Sequence, residues 1–264
     1  MAQFETIRRT TAGVQSAEID AGLRAHMNKV YGLMAIAMVI TGVIAYIVGT
    51  DAAVVINAMK QGIDPASVQT SVIPSSVIAA LFFSPLKWVI MFAPLAVVFA
   101  FGAMLNRMST STATMVFYGF AALMGLSISW IFAAFTGISI AQTFFVTAIA
   151  FAGLSLYGYT TKRDLSGMGA FLVMGVIGIL VASIINIWLA SPGLHFAISI
   201  IGVLLFAGLT AFDTQNIKNS YLQVRTQPGG EAVAEKMAIS GALNLYLDFL
   251  NMFMFLLQFL GNRE

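Results

Sequence analysis

Two acidic residues, Asp213 and Asp248, stand in or against runs of apolar side chains. A carboxylate near the centre of a membrane helix costs about 2.5–3.5 kcal/mol on insertion scales. Asp213 closes the run 196–212, and Asp248 lies inside the run 239–260. These two runs are consecutive, and as antiparallel helices they would bring both carboxyls to similar depth if the first continues to about Tyr221 and the second starts near Met237. Two carboxylates in one low-dielectric site cannot both ionise cheaply, so the pair would titrate as a unit. It would share a proton at low pH and become a divalent-cation ligand or a repulsive wedge at higher pH, because hard cations prefer oxygen donors. On spacing alone a second reading stays open, with Asp213 interfacial and Asp248 bonded to a neighbouring helix for structure. Asn244, Asp248 and Asn251 recur at i, i+4 and i+7, with Gln258 beyond, a polar stripe expected to face the bundle interior or a wet path. Isolated Asn and Gln in membrane helices commonly serve as interhelical glue.

Other chemistries lack their residues. A retinal protein needs a lysine in the last span, which has none, and a serine-type intramembrane protease needs an embedded histidine, whereas His26 falls in the tail and His195 in a short outer loop. A two-aspartate protease would need the Gly-x-Gly-Asp signature, but Leu245-Tyr246-Leu247 precedes Asp248. The chain has no cysteine, hence no disulfide, thiolate metal site or cysteine nucleophile. No phosphate loop, dinucleotide fingerprint or zinc-protease motif occurs. The expectation is a non-enzyme without a tightly bound cofactor, and the scattered basic residues suggest no nucleic-acid partner.

The elements that would position the aspartates follow from composition. Hydrophobic residues make up 59% of 264 positions and charged residues 9%, against about 45–50% and 25% in soluble domains. Apolar runs near 30–49, 88–105, 115–135, 138–159, 169–190, 196–212 and 239–260 approach the roughly 20 residues that a bilayer crossing needs. The fold class is therefore all-α, a polytopic membrane protein with seven transmembrane helices. A polar tail over 1–29, without the features of a signal peptide, precedes a membrane domain over 30–264. With that tail in the cytoplasm, Arg8, Arg9, Arg24, Lys29, Arg107, Lys162, Arg163, Lys218, Arg225 and Lys236 lie inside. Only Lys60, Lys87 and Arg263 lie outside, a positive-inside bias that puts the carboxy terminus outside. In the outer loop 50–85, Val55, Met59 and Ile63 have helical spacing up to Asp64-Pro65 and suggest an interfacial helix. The inner loop 218–237 contains the turn sequence Gln227-Pro228-Gly229-Gly230. Ala121, Gly125, Ser129 and Ala133 recur every four residues, a stripe suited to close helix approach.

Three stretches then converge. The segment Ala211-Phe212-Asp213-Thr214-Gln215-Asn216-Ile217 resembles the Tyr-Asp-Thr-Gln signature of the Bax inhibitor-1 family. Residues 157–166, Tyr157 through Ser166, resemble the exit of that family's fourth span, and 242–251, Ala242 through Asn251, resemble its last helix. The resemblance runs in order from the first span to the end and fits a bacterial member in the inner membrane. It implies seven helices with the last one central, and a pH-sensitive calcium leak in which Asp213 and Asp248 are the sensor and the calcium ligands. Thr214, Gln215, Asn244 and Asn251 would be the supporting polar side chains. Some relatives latch the first aspartate with a basic residue of the second span; here Met104 takes that position, and Arg107, a turn nearer the cytoplasm, is the nearest substitute. Calcium ions, protons and the lipid bilayer are the implied partners. The family also suggests an alternative, a regulator that restrains a membrane protease or a death-related protein.

Overall fold

The computed structural model describes the backbone of residues 2–263 and the side chains of residues 19–263 apart from Ala66. Its helices are α1 (Ala2–Lys60), α2 (Ser75–Phe83), α3 (Leu86–Met104), α4 (Thr110–Ile128), α5 (Ile131–Ala134), α6 (Gly137–Thr160), α7 (Ser166–Leu189), α8 (Pro192–Arg225) and α9 (Gly230–Leu260). Among the described residues, seven helical stretches are long and apolar enough to cross a membrane, and no strand forms. Large apolar side chains such as Phe99, Met115, Ile149 and Trp188 are 70% or more exposed, as a lipid-facing perimeter requires and a water-facing one does not tolerate.

Local chemistry sets the helix starts. Ser109, Thr136 and Ser191 cap α4, α6 and α8, their hydroxyls accepting the amides of Thr112, Ser139 and Leu194. Pro192 follows the last of these at a position where a missing amide costs nothing. In the connection 161–165, the Ser166 hydroxyl and amide donate to Asp164 and hold its carboxyl below the usual carboxylate range.

α9 is the central element. Half of its apolar window is buried, the largest share of any span, and it packs on α8, α1, α6 and α4. At its middle Tyr246 is fully buried, edge-on to Phe117 and Phe120 with ring centroids at 5.7 and 5.9 Å. Its hydroxyl lies 2.6 Å from Thr41 Oγ1, which itself donates to Ala121 O at 2.8 Å. The expected small-residue stripe lies against α1: a Cβ on Gly125 would stand 2.6 Å from Thr41 O, and one on Gly49 would stand 2.6 Å from Ser129 O. Gly125→Leu is therefore expected to force α1 from α4 at a cost of about 1–3 kcal/mol. A lower melting temperature in detergent checks it, with Gly102→Leu, where a Cβ meets open space, as the control.

The structure departs from the sequence reading at both ends of the spans. α1 begins before Val30, and Leu23, His26 and Met27 are buried against the bundle. It also continues past Gly49 to Lys60, so Val55 and Met59 belong to the first span's own helix and not to a separate interfacial one. The helix gives out before Asp64-Pro65, at Gly62, whose φ of 77° breaks the helical path. The connection read as 218–237 shrinks to a turn at 226–229, because α8 runs to Arg225 and α9 starts at Gly230, with Gly229 at φ 75° reversing the chain.

α1 also carries a buried carboxylate of its own. Asp51 is 1% exposed, and its oxygens accept the amides of Ser71, Val72 and Ile73 at 2.7, 2.9 and 2.7 Å. It clasps the connection between α1 and α2 over a small core of Val48, Ala52, Val55 and Ile78. Asp51→Asn gives up charge-assisted bonds and is expected to cost about 2 kcal/mol. Faster proteolysis at 61–74 with the rest of the chain intact is the result to look for.

Candidate functional site

Asp213 sits on α8 and Asp248 on α9, and their carboxyl groups are in hydrogen-bond contact with each other. Both helices run farther into their connection than the sequence suggested, yet the side chains still meet, because α8 and α9 form the most extensive helix pair of the bundle. Asp248 is 4% exposed and Asp213 only partly buried, so the pair has one deep and one shallower member. Asp248 Oδ2 is buried without a hydrogen-bond partner among the described residues. A carboxyl–carboxyl contact requires a shared proton, and an orphaned carboxylate oxygen is an acceptor held ready for a proton or a cation.

One helical turn from the pair, toward the turn at 226–229, Asn216, Ser220, Ser240 and Asn244 line a cavity of about 100 Å³ between α8 and α9. Asn244 is exposed on that cleft, one helical turn short of Asp248. Met237 and Ser240 also line a wider recess of about 440 Å³ that reaches Asn106 and Lys236. Both lie toward the end of the bundle that holds Lys29, Lys218 and Lys236. Asn251 donates to Leu247 O of its own helix, and Gln258 accepts from Ser199 on α8 at 3.4 Å.

The other expected site residues do structural work. Thr214 donates to Thr210 O and pairs with Ser155 of α6 at 2.9 Å, which in turn meets Tyr31 of α1 at 2.6 Å. Gln215 accepts from Leu165 N and donates to Arg163 O, pinning the connection between α6 and α7. Arg107 is exposed on a short 3-10 turn after α3, and among the described residues no bond joins it to either aspartate. Sequence reasoning missed Asn216, which the helical repeat places one turn from Asp213 and facing Asn244.

No group of three or more His, Cys, Asp or Glu side chains could hold a metal among the described residues. The oxygen donors near Asp248 are Asp213 and, one turn away, the side chains of Asn216 and Asn244. This set is thin beside the 6–8 oxygens of a tight calcium site.

Residues 23–264 match the family model described as inhibitor of apoptosis-promoting Bax1. The chain belongs to the Bax inhibitor-1 family. Among its relatives, the inner membrane protein YbhL of Escherichia coli K12 is 42% identical over 246 residues, covering 92% of this chain and 94% of YbhL. Protein RP147 of Rickettsia prowazekii is 39% identical over 254 residues, covering 96% of each chain. A Caulobacter vibrioides protein is 42% identical over 248 residues, covering 93% of this chain and 92% of its own. Family membership makes this a membrane protein of the Bax-inhibitor kind. Its seven apolar helices and the inner-membrane relative together support a multi-pass inner-membrane protein.

Proposed function

We propose that this protein is a pH-sensitive calcium leak of the inner membrane, not an enzyme, with its amino terminus in the cytoplasm. The observation that carries this reading is the touching pair of carboxyls with an unpartnered buried oxygen, one helical turn from a cleft that Asn216, Ser220, Ser240 and Asn244 line. At acidic pH the shared proton ties α8 to α9 and leaves the pair at most singly charged. When that proton leaves, two negative charges face each other in a low-dielectric site, so the helices part or a divalent cation enters between them. Calcium is cargo here, and the protons are the regulator. The basic residues at the end of the bundle holding Lys29, Lys218 and Lys236 support the cytoplasmic assignment.

The test is calcium flux into liposomes carrying purified protein, from about pH 6 to pH 8. Flux that rises with pH supports the leak, and flux no greater than in empty liposomes removes it. The competing reading, a regulator that binds a membrane protease or stress protein, would gain from that second result.

A further inference from the structure

We propose that the seam between α1 and α6, at the end of the bundle where α8 turns into α9, binds a phospholipid with an anionic headgroup. α1 and α6 both touch α9, but they share no extensive face with each other. Between them runs a groove of about 520 Å³, lined by Arg24, Asn28 and Tyr31 of α1 and by Ala152, Ser155 and Tyr159 of α6, among others. The Tyr31–Ser155 hydrogen bond bridges its floor. From Phe151 to Tyr159 it extends roughly 12 Å along α6, room for the upper part of an acyl chain.

Charge fixes the occupant. Arg24 is exposed at the rim and makes no ion pair among the described residues, where the one such pair is Lys29–Glu235. Its nearest acidic neighbour on the helix, Asp20, lies one turn farther out and is exposed. Lys218 does not line the groove, and its ammonium is engaged by Tyr159 O and lies 5.6 Å from that ring's centroid, so Arg24 is the cation the groove offers a headgroup. Arg24 precedes the apolar run of α1 by six residues, roughly 9 Å, which is headgroup level. Basic pockets between membrane helices at the cytoplasmic side are sites for anionic headgroups, and a guanidinium forms paired bonds to a phosphate. A second groove of about 510 Å³ lies on the same seam in the other half of the bundle, and no charged residue lines it. The seam can therefore hold chains along its length, but a charged headgroup only at the Arg24 end. An apolar partner helix would cover Arg24 and leave its charge uncompensated.

The experiment reconstitutes the full chain in phosphatidylcholine vesicles with a trace of spin-labelled phosphatidylglycerol or spin-labelled phosphatidylcholine, and measures the motionally restricted fraction of each. Wild type is expected to prefer phosphatidylglycerol roughly fivefold, the effect one basic residue supports. Arg24→Gln, at an exposed position, should abolish the preference and leave phosphatidylcholine unchanged, whereas Arg263→Gln at the opposite end should keep it. Ala152→Trp, which fills the groove from an exposed position, should lower retention of both lipids. Equal retention of the two lipids in wild type, a preference that survives Arg24→Gln, or equal loss in Arg263→Gln each overturns the proposal. So does a dimer that Ala152→Trp dissociates, because the groove then belongs to a second copy.

Discussion

Calcium flux through Asp248→Asn protein in liposomes is expected to stay low and flat from about pH 6 to pH 8, where wild-type flux climbs. An asparagine keeps the shape of the protonated carboxyl and can still hydrogen-bond Asp213, so the contact between α8 and α9 persists and the protein should fold normally. What it cannot do is ionise. Two unit charges about 4 Å apart at an effective dielectric of about 20 repel by about 4 kcal/mol. A change of about 1.4 kcal/mol already shifts an equilibrium tenfold, so losing this repulsion should reduce flux at the alkaline end by about tenfold or more. Asp213→Asn should do the same, and the double variant should be no worse than either single one, since removing one charge already abolishes the repulsion. A pH response that survives either substitution would separate the gate from this pair. Activity of the protein in cells that survives both would favour the regulator reading, in which the buried carboxylates are not required.

The second large effect concerns the core. Tyr246→Ala is expected to destabilise the protein by about 3–5 kcal/mol, because it empties the space of the largest fully buried side chain and leaves Phe117 and Phe120 without their edge-on partner. Tyr246→Phe should cost far less, about 1 kcal/mol. The Thr41 hydroxyl already gives its proton to Ala121 O, so Tyr246 must be the donor in their 2.6 Å bond, and its loss strands no donor on Thr41. Thermal unfolding in a single detergent would rank the two, and a Tyr246→Phe variant as unstable as Tyr246→Ala would show that the polar link outweighs the packing.

The seven spans and the aspartate pair were legible because each is a departure from apolar monotony. A run of about 20 apolar residues has few meanings, and an acid inside one has fewer. The roles of Thr214 and Gln215 were hidden by their place in the motif. Successive residues on a helix point about 100° apart, so when Asp213 faces α9 its two followers face α6 and the connection beyond it. Asp51 escaped notice because its partners are backbone amides some 20 residues away, and no side-chain pattern announces such a clasp. A charged residue at the end of an apolar run reads as the end of the span, whereas here the helix carries it inward and the loop folds back over it. The turn at 226–229 was visible from its Pro-Gly-Gly sequence, but not its brevity, because the polar ends of α8 and α9 look like loop until they are seen packed on one another.

The carboxy end of α9 is fastened. Asn262 donates to Ser139 Oγ and accepts from Thr136 N, while Arg263 lies over the ring of Phe135 and beside His195. A rod held at one end can only swing, and its displacement grows with distance from the pivot. Asp248 stands twelve residues before Leu260, roughly 18 Å along the axis, so a tilt of about 10° there would carry its carboxyl about 3 Å. That is enough to break a hydrogen bond, so a small tilt about the fastened end of α9 would be felt at the aspartate near its middle.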